Sequence, residues 1–259
     1  WNFAFAGAGI AGLDLALRIV ERGVDGSILL LDEDDPTADE RTFGCWTDEP
    51  FPFESIVLNE WEQMSVHGED GGHRHRLDDW RYVAFRAGDF KRLALERIRE
   101  RADVAVVRER VTDIDDQPGG AVIYAGSRRF AADWVFDSRF DISRWDPSPG
   151  HVDFRQSFIG WWIEADHDAF DPEVATLMDF RRTRSGKGMQ FYHLLPVDER
   201  TALVDCVSIG RKPRFEPPIA YLRDVVGLDG WRVLRCERGV TPLTDDGFER
   251  RAGHRILNI

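Results

Sequence analysis

Phe3-Ala4-Phe5-Ala6-Gly7-Ala8-Gly9-Ile10-Ala11-Gly12 is the stretch on which the reading of this chain turns. A short apolar run leads at once into G-x-G-x-x-G, after which Leu13, Ala16, Leu17 and Val20 recur at helical spacing up to Arg22. Ser27 to Leu31 is a second apolar strand, ending in Asp32, twenty residues beyond Gly12. Strand, glycine-rich turn, helix, strand and acid in this order predict a dinucleotide-binding βαβ unit. Gly7 would permit the tight turn, Gly9 the approach of a pyrophosphate to the backbone, and Gly12 close packing of helix on strand, with the phosphates at a helix N-terminus. Asp32 would accept hydrogen bonds from an adenosine ribose. The pattern does not choose between FAD and a nicotinamide cofactor, since both carry an ADP half. The expected cofactor-binding residues are Gly7, Ala8, Gly9, Gly12, Asp32 and the adjoining Glu33, which opens an acidic run that otherwise reads as a surface loop.

The 259 residues suffice for one large domain or two modest ones, and no apolar run is long enough for a spanning helix. Net charge is −13 and the only lysines are Lys91, Lys187 and Lys212, a balance that argues against nucleic acid as a partner. Cys45, Cys206 and Cys236 are odd in number and widely spaced, which supports neither a disulfide framework nor a thiolate metal site. No signal peptide precedes the first strand, so the expected location is the cytoplasm. Position 1 lies two residues before that strand and Arg255 to Ile259 reads as a strand cut at its tip, as in a piece of a longer protein.

Further along, Arg41-Thr42-Phe43-Gly44-Cys45-Trp46 fits neither a helix face nor a strand. It reads as a loop, either covering a cofactor with Arg41 near phosphate or carboxylate, or plainly packed. Residues 50 to 85 suggest short antiparallel strands inserted into the nucleotide domain, and His73-Arg74-His75 reads as a solvent-exposed turn with no metal. Gly88 to Ala102 is helical, with Asp89 able to cap it, and Val104 to Val107 would add a strand to the nucleotide sheet. A meander over residues 111–132, turning at Gly119-Gly120, precedes a buried strand Trp134-Val135-Phe136. Asp137 and Arg139 at its end are either ligand-facing groups or a structural ion pair. From Gly150 the chain is rich in aromatic residues and in alternating strands, with a turn over 185–188, and reads as a mainly antiparallel sheet roofing an apolar substrate cavity. Asp179 and Asp205 fall inside its apolar strands, where an unpaired carboxylate is costly and tends to be protonated. Pro217 to Val226 reads as a helix, and Trp231 to Arg235 as a strand, after which Cys236 to Leu243 would return to the first domain.

In order and composition these segments resemble the lycopene cyclases of the flavoprotein, beta-ring-forming type. The resemblance is carried by Gly7 to Gly12 with Asp32, Arg41 to Trp46, Phe136-Asp137-Ser138-Arg139, Gln156 to Trp162, Leu177-Met178-Asp179-Phe180-Arg181, Phe191-Tyr192-His193-Leu194-Leu195-Pro196 and Glu237-Arg238-Gly239-Val240-Thr241-Pro242. It implies an α/β fold: a Rossmann-like FAD-binding domain of glutathione-reductase type at 1–149, an antiparallel substrate domain at 150–225, and a return to the FAD domain at 226–259. It also implies non-covalent FAD, reduced by NADPH without net redox, and lycopene or a related linear carotenoid as substrate. The enzyme would be an intramolecular lyase, an isomerase working in peripheral contact with the cytoplasmic membrane beside other carotenoid-pathway enzymes. Asp205 matches the first of two successive acids in the family, whereas Cys206 stands where the second acid would be and Val207 where a threonine would be. The family's glycine-rich flavin segment and C-terminal helices would follow Ile259.

The chemistry asks for the same architecture. Protonating a terminal double bond gives a tertiary cation, a neighbouring alkene closes on it, and loss of a ring proton completes the ring. Water would quench the cation, so the pocket must be dry, and the acid must hold its proton near neutral pH. A reduced flavin and the ring faces of Trp161, Trp162, Phe180 and Phe191 would stabilise the cation. The expected catalytic residues are Asp205 as proton donor, with Asp179 and Glu237 as the further acids, one assisting Asp205 or orienting the polyene and the other holding the flavin-side loop. The competing readings are an FAD-dependent monooxygenase or oxidoreductase of the same fold, and an inactive carotenoid-binding paralogue.

Overall fold

A computed structural model describes residues 1–259 except 141, 143, 144 and 183–187. The chain divides into two compact units, one of Trp1–Glu40, Arg86–Asp141 and Gly247–Ile259, the other of Arg41–Phe85 and Ile142–Asp246.

The first unit is built on a parallel sheet with strand order Ile256–Asn258, Trp134–Asp137, Phe3–Ala6, Ile28–Asp32, Val104–Arg108. Its strands read as continuous apolar runs because both faces are covered. Ala4, Ala6, Leu29, Leu31 and Val135 pack against Val111, Ala121, Ile123 and Ala132 of an antiparallel meander formed by Val111–Gln117, Gly120–Ala125 and Arg128–Ala132. Phe5 points the other way, stacks on Phe136 at 4.9 Å, and faces helix α1 (Ile10–Glu21). Leu13, Ala16, Leu17 and Val20 of α1 are buried as their spacing predicts. A second helix, α2 (Ala87–Arg99), packs beside it. Asp89 does not cap α2 but pairs with Arg92, the cap position being Arg86. Each large side chain buried here contributes about 1.5–3 kcal/mol.

The second unit centres on a seven-stranded sheet, ordered Trp231–Leu243, Phe154–Ala165, Thr201–Gly210, Met189–Pro196, Val174–Asp179, Gln63–Gly68, Gly71–Arg76. All its pairings are antiparallel except that of Val174–Asp179 with Gln63–Gly68. One face buries Ile163, Tyr192, Val204 and Cys206 against Tyr221, Leu222 and Leu228. The other buries Trp162, Leu195 and Leu203 against Trp61 and Ala84 of a small sheet ordered Thr42–Thr47, Arg81–Arg86, Val57–Trp61. Asn59 and Trp61 tie that small sheet down, each donating a side-chain hydrogen bond to the Pro196 carbonyl, at 2.9 and 3.1 Å.

Further expectations change, His73-Arg74-His75 first: it lies in the exposed strand Gly71–Arg76, not a turn. Arg41 to Trp46 is not a loop: Thr42–Thr47 is a strand, its aromatic side chains meeting those of the neighbouring strand, Phe43 on Phe85 and Trp46 on Tyr82. The strands of residues 50–85 pair and pack within the second unit, not as an insertion in the nucleotide unit. Cys236 to Leu243 does not return to the first domain, because Trp231–Leu243 is one strand paired along its length with Phe154–Ala165; only 247–259 joins the first unit. The helix expected at Pro217 to Val226 is a short α turn, Ile219–Tyr221, continued by a π turn, Leu222–Val226, and stopped by Gly227 at φ 83°. Of the turn expected over 185–188, Ser185, Gly186 and Lys187 lie outside the described residues, and Gly188 has φ 121°. Among the described residues no helix is long and apolar enough to cross a membrane.

Candidate functional sites

In the first unit the glycine-rich turn has the form a dinucleotide needs. Gly7 sits at φ +105°, a region L side chains rarely adopt, and Ser138 packs directly behind it, with its hydroxyl 3.1 and 3.2 Å from the Ala6 and Gly7 carbonyls. A Cβ on Gly12 would lie 2.6 Å from the Gly7 carbonyl, so only glycine lets the helix close on the turn. Gly9 differs: among the described residues nothing lies within 4 Å of a Cβ built there, and that open space adjoins the N-terminus of α1. The helix carries no side-chain cap and no acid in its first turn, leaving its amide donors and positive end available to an anion. The Asp32 carboxylate accepts from the Ala8 amide at 2.7 Å and the Asp34 amide at 3.1 Å, fixing the turn to the strand end where a ribose would sit. Glu33 is exposed and pairs with Arg110 at 4.0 Å. Asp137 and Arg139 form an ion pair at 2.7 Å, and Arg139 also donates to the Val111 carbonyl at 2.8 Å. Arg41 belongs to the second unit, with its guanidinium 5.9 Å from the Phe43 ring centroid.

In the second unit the strand register assembles a row of chemistry-bearing residues. His193 stands opposite Asp205, Asp205 opposite Gly160, and Gly160 opposite Glu237. Directly opposed residues share a face, so the three side chains point the same way. The glycine is what lets them meet: a Cβ on Gly160 would overlap Asp205 Oδ1 and lie 3.1 Å from Glu237 Cγ. Asp205 and Glu237 are 8% and 6% exposed. Flanking them on this face are Trp162, Leu203 and Leu195 on one side and Phe191, Val207 and Phe158 on the other, with Phe180 5.6 Å from Phe191.

Glu237 is held by Thr42, which donates to Oε2 from both its amide, at 2.8 Å, and its hydroxyl, at 3.1 Å. The same hydroxyl accepts from Trp162 Nε1 and from Arg235, each at 3.1 Å, and Arg235 lies over the Trp162 ring. Burial pushes the Glu237 carboxyl up, the Asp205 charge adds to this, and the Thr42 donors and Arg235 oppose it, leaving the pKa at about 7. Asp205 Oδ1 is buried with no hydrogen-bond partner among the described residues, a position that suits a donor.

Asp179 lies elsewhere. It stands opposite Tyr192, which stands opposite Cys206, and this row faces the Tyr221 side of the sheet. Burial alone would raise its pKa, but the Arg181 side chain at 2.5 Å, the Arg181 amide at 3.0 Å and the Tyr221 hydroxyl at 2.8 Å outweigh it and hold the carboxyl below its usual range. Cys206 is also on that face, accepting from Gln190 at 3.2 Å, and its thiol is pushed up to about 11, mainly by burial. Trp161 packs there too, so of the four aromatic residues expected to line the pocket it is on the wrong face.

Thr42, Gly160, His193 and Ser138 were not singled out by sequence reasoning, although each falls within a quoted motif. Their roles depend on pairing between distant strands, and no local spacing reports that.

A family model described as lycopene cyclase protein matches residues 2–259. No curated protein matches the sequence. Among solved structures the chain is similar to a geranylgeranyl bacteriochlorophyll reductase-like protein from Thermoplasma acidophilum, at 13% identity and TM-score 0.70, covering 100% of this chain and 70% of that one. It is also similar to the halogenase PltM in complex with phloroglucinol and FAD, at 13% identity and TM-score 0.65, covering 100% and 63%. A third is p-nitrophenol 4-monooxygenase PnpA from Pseudomonas putida, at 12% identity and TM-score 0.66, covering 99% and 71%. At these identities the likeness is one of fold, and it agrees with the expected plan of a Rossmann-like unit joined to a mainly antiparallel one. The chain spans between 59% and 71% of the length of such structures.

Proposed function

This chain belongs to the lycopene cyclase family, and from that premise we propose that it closes the ends of lycopene, or a related linear carotenoid, into β-rings by acid catalysis. The observation that carries the reading is the meeting of Asp205 and Glu237 over Gly160 on an apolar, aromatic face, with the Glu237 pKa near 7. With burial and the nearby Asp205 charge raising its pKa to about 7, Glu237 retains a proton in a large share of molecules near neutral pH. In this reading the proton held by Glu237 passes to Asp205 Oδ1, which otherwise lacks a donor, and from there to the terminal alkene carbon. Thr42 keeps Glu237 oriented and keeps its pKa from rising out of the useful range. Phe158, Phe191 and Trp162 exclude water and offer ring faces to positive charge. Asp179, paired with Arg181 and Tyr221 on the other face, serves the fold.

The first unit fits the ADP half of FAD: phosphates over Gly9 at the amino end of α1, ribose at Asp32, with Gly7, Ala8 and Gly12 shaping the turn. When bound and reduced by NADPH, FAD would supply negative charge to stabilise a carbocation. A substrate this insoluble implies peripheral contact with a membrane, and with a net charge of −13 that contact would be apolar.

Fold similarity to a halogenase and a monooxygenase supports a second reading, an FAD-dependent monooxygenase or other oxidoreductase. The inactive-paralogue reading is weakened by geometry, because Cys206 replaces an acid on the face opposite Asp205 and leaves the Asp205–Glu237 pair intact. Product analysis separates the first two. Full-length protein given lycopene, FAD and NADPH under ¹⁸O₂ is expected to yield rings of unchanged elemental composition; ¹⁸O in the product would overturn cyclisation in favour of oxygenation.

A further inference from the structure

Cyclisation uses a proton at its start and releases one at its end. The acid O–H bond breaks as a C–H bond forms at the terminal alkene carbon. The next double bond supplies the electron pair that closes the ring. The final ring C–H then gives up its proton to a carboxylate, and its electron pair becomes the ring double bond. The buried pair can be reloaded with that same proton, or the proton can leave and another enter from water. Which occurs depends on whether the pair has a path to solvent.

At the Glu237 end the carboxyl is covered: Thr42 donates to it, Trp162 and Arg235 donate to the Thr42 hydroxyl, and Glu237 is 6% exposed. The other end of the row is different. His193 Nδ1 lies 3.7 Å from Asp205 Oδ2, and its side chain is 23% exposed against 12% for that of Asp205. The His193 ring rests against Phe191, 5.3 Å between centroids, which fixes its plane beside the acid. Imidazole can take a proton on one nitrogen and release one from the other, which no neighbouring apolar side chain can do. We infer that His193 is the relay through which the Asp205–Glu237 pair exchanges protons with water between turnovers. This rests on the cyclisation reading, and it makes His193 a positioning and relay residue that acts through Asp205.

The test counts solvent deuterons in the product. Full-length, FAD-loaded protein turns over lycopene many times in D₂O, and the parent is expected to place about one solvent deuteron in each ring, as an acid re-equilibrated between turnovers must. His193→Phe keeps an aromatic ring beside Phe191 but cannot relay. It should form rings carrying less than roughly half that deuterium, because the pair is then reloaded by the ring's own proton. His193→Ala should behave alike, and added imidazole should restore deuterium uptake; a purely structural histidine would alter rate without altering deuterium per ring and would not respond to imidazole. Should His193→Phe not fold, His193→Gln takes its place beside His193→Ala. Deuterium per ring unchanged in the folded variants overturns the relay while leaving cyclisation intact. A parent that forms no rings overturns the cyclisation reading and the relay with it.

Discussion

Asp205 and Glu237 reach over Gly160 from the two strands on either side of it, and the bare backbone of that glycine is what makes room for the Asp205 carboxyl and the Glu237 side chain together. The site therefore depends on three strands that are distant in sequence and adjacent in the sheet.

Gly160→Ala tests this convergence. The added methyl would overlap Asp205 Oδ1, so we expect a stability loss of about 1–3 kcal/mol, as for other overpacked cores. Ring formation should fall by more than roughly tenfold through misplacement of the acids. FAD affinity should not change. Thermal unfolding, product formation and FAD titration check the three parts, and an Ala variant with parental ring formation would mean the acids do not need to meet.

Glu237 gives a pH signature. Its carboxyl is raised from 4.5 to about 7, so between those values the unfolded chain has lost a proton that the folded chain keeps. The stability contribution is full below about 4.5 and is lost as pH rises through about 7, a change of roughly 3 kcal/mol. Glu237→Gln should flatten that part of the stability curve. Single-turnover ring formation should likewise decline as pH rises through about 7, the protonated pair being depleted. A decline with the same midpoint in both the parent and Glu237→Gln would take Glu237 out of the pair.

The glycine turn offers a contrast within one motif. Gly9→Val adds atoms where no described residue lies within 4 Å, so the fold should be unaffected while the phosphate space is filled and FAD affinity drops more than roughly tenfold. Gly12→Ala puts a methyl 2.6 Å from the Gly7 carbonyl and should lower stability itself. Melting temperature without added FAD, read beside an FAD titration, distinguishes the two. Undiminished FAD affinity in Gly9→Val would remove the turn from the cofactor site.

How much of this was legible beforehand follows from the range over which each signal acts. Gly7 to Asp32 could be read because the turn, the helix stripe and the acid are encoded within one βαβ unit, and the structure gives them the expected strand and helix forms. Asp179 and Asp205 stood out as acids in apolar runs, and both are buried. Their different surroundings could not be read, because one register row leads from Asp179 through Tyr192 to Cys206 and the next joins His193, Asp205, Gly160 and Glu237. Arg41 to Trp46 misled for a different reason: half-buried Phe43, Cys45 and Thr47 alternate with exposed Gly44 and Trp46, and a large aromatic on the exposed side hides the period of two in the composition.

Asp179→Asn should separate structure from chemistry. The carboxylate is fully buried and bonded by Arg181 and Tyr221, so its loss should cost about 2–4 kcal/mol, less than for a fully enclosed pair because Arg181 is partly exposed. Its folded pKa is depressed, so this contribution is present above the usual carboxylate value and is lost as pH falls through the depressed one. Denaturant titration at pH 7 and at pH 3 checks the sign. Folded Asp179→Asn should retain the parental pH dependence of ring formation, and a shifted profile would give Asp179 a part in the proton transfer.

The most direct test of the central claim is single-turnover ring formation by Asp205→Asn in the full-length, FAD-loaded protein. Asparagine keeps the shape of the side chain beside Gly160 but cannot deliver a proton at neutral pH. The expected result is a folded protein that binds FAD and lycopene and forms rings slower by about 10²- to 10⁴-fold, with measurable activity returning in Asp205→Glu. Ring formation by Asp205→Asn at close to the parental rate would contradict the account.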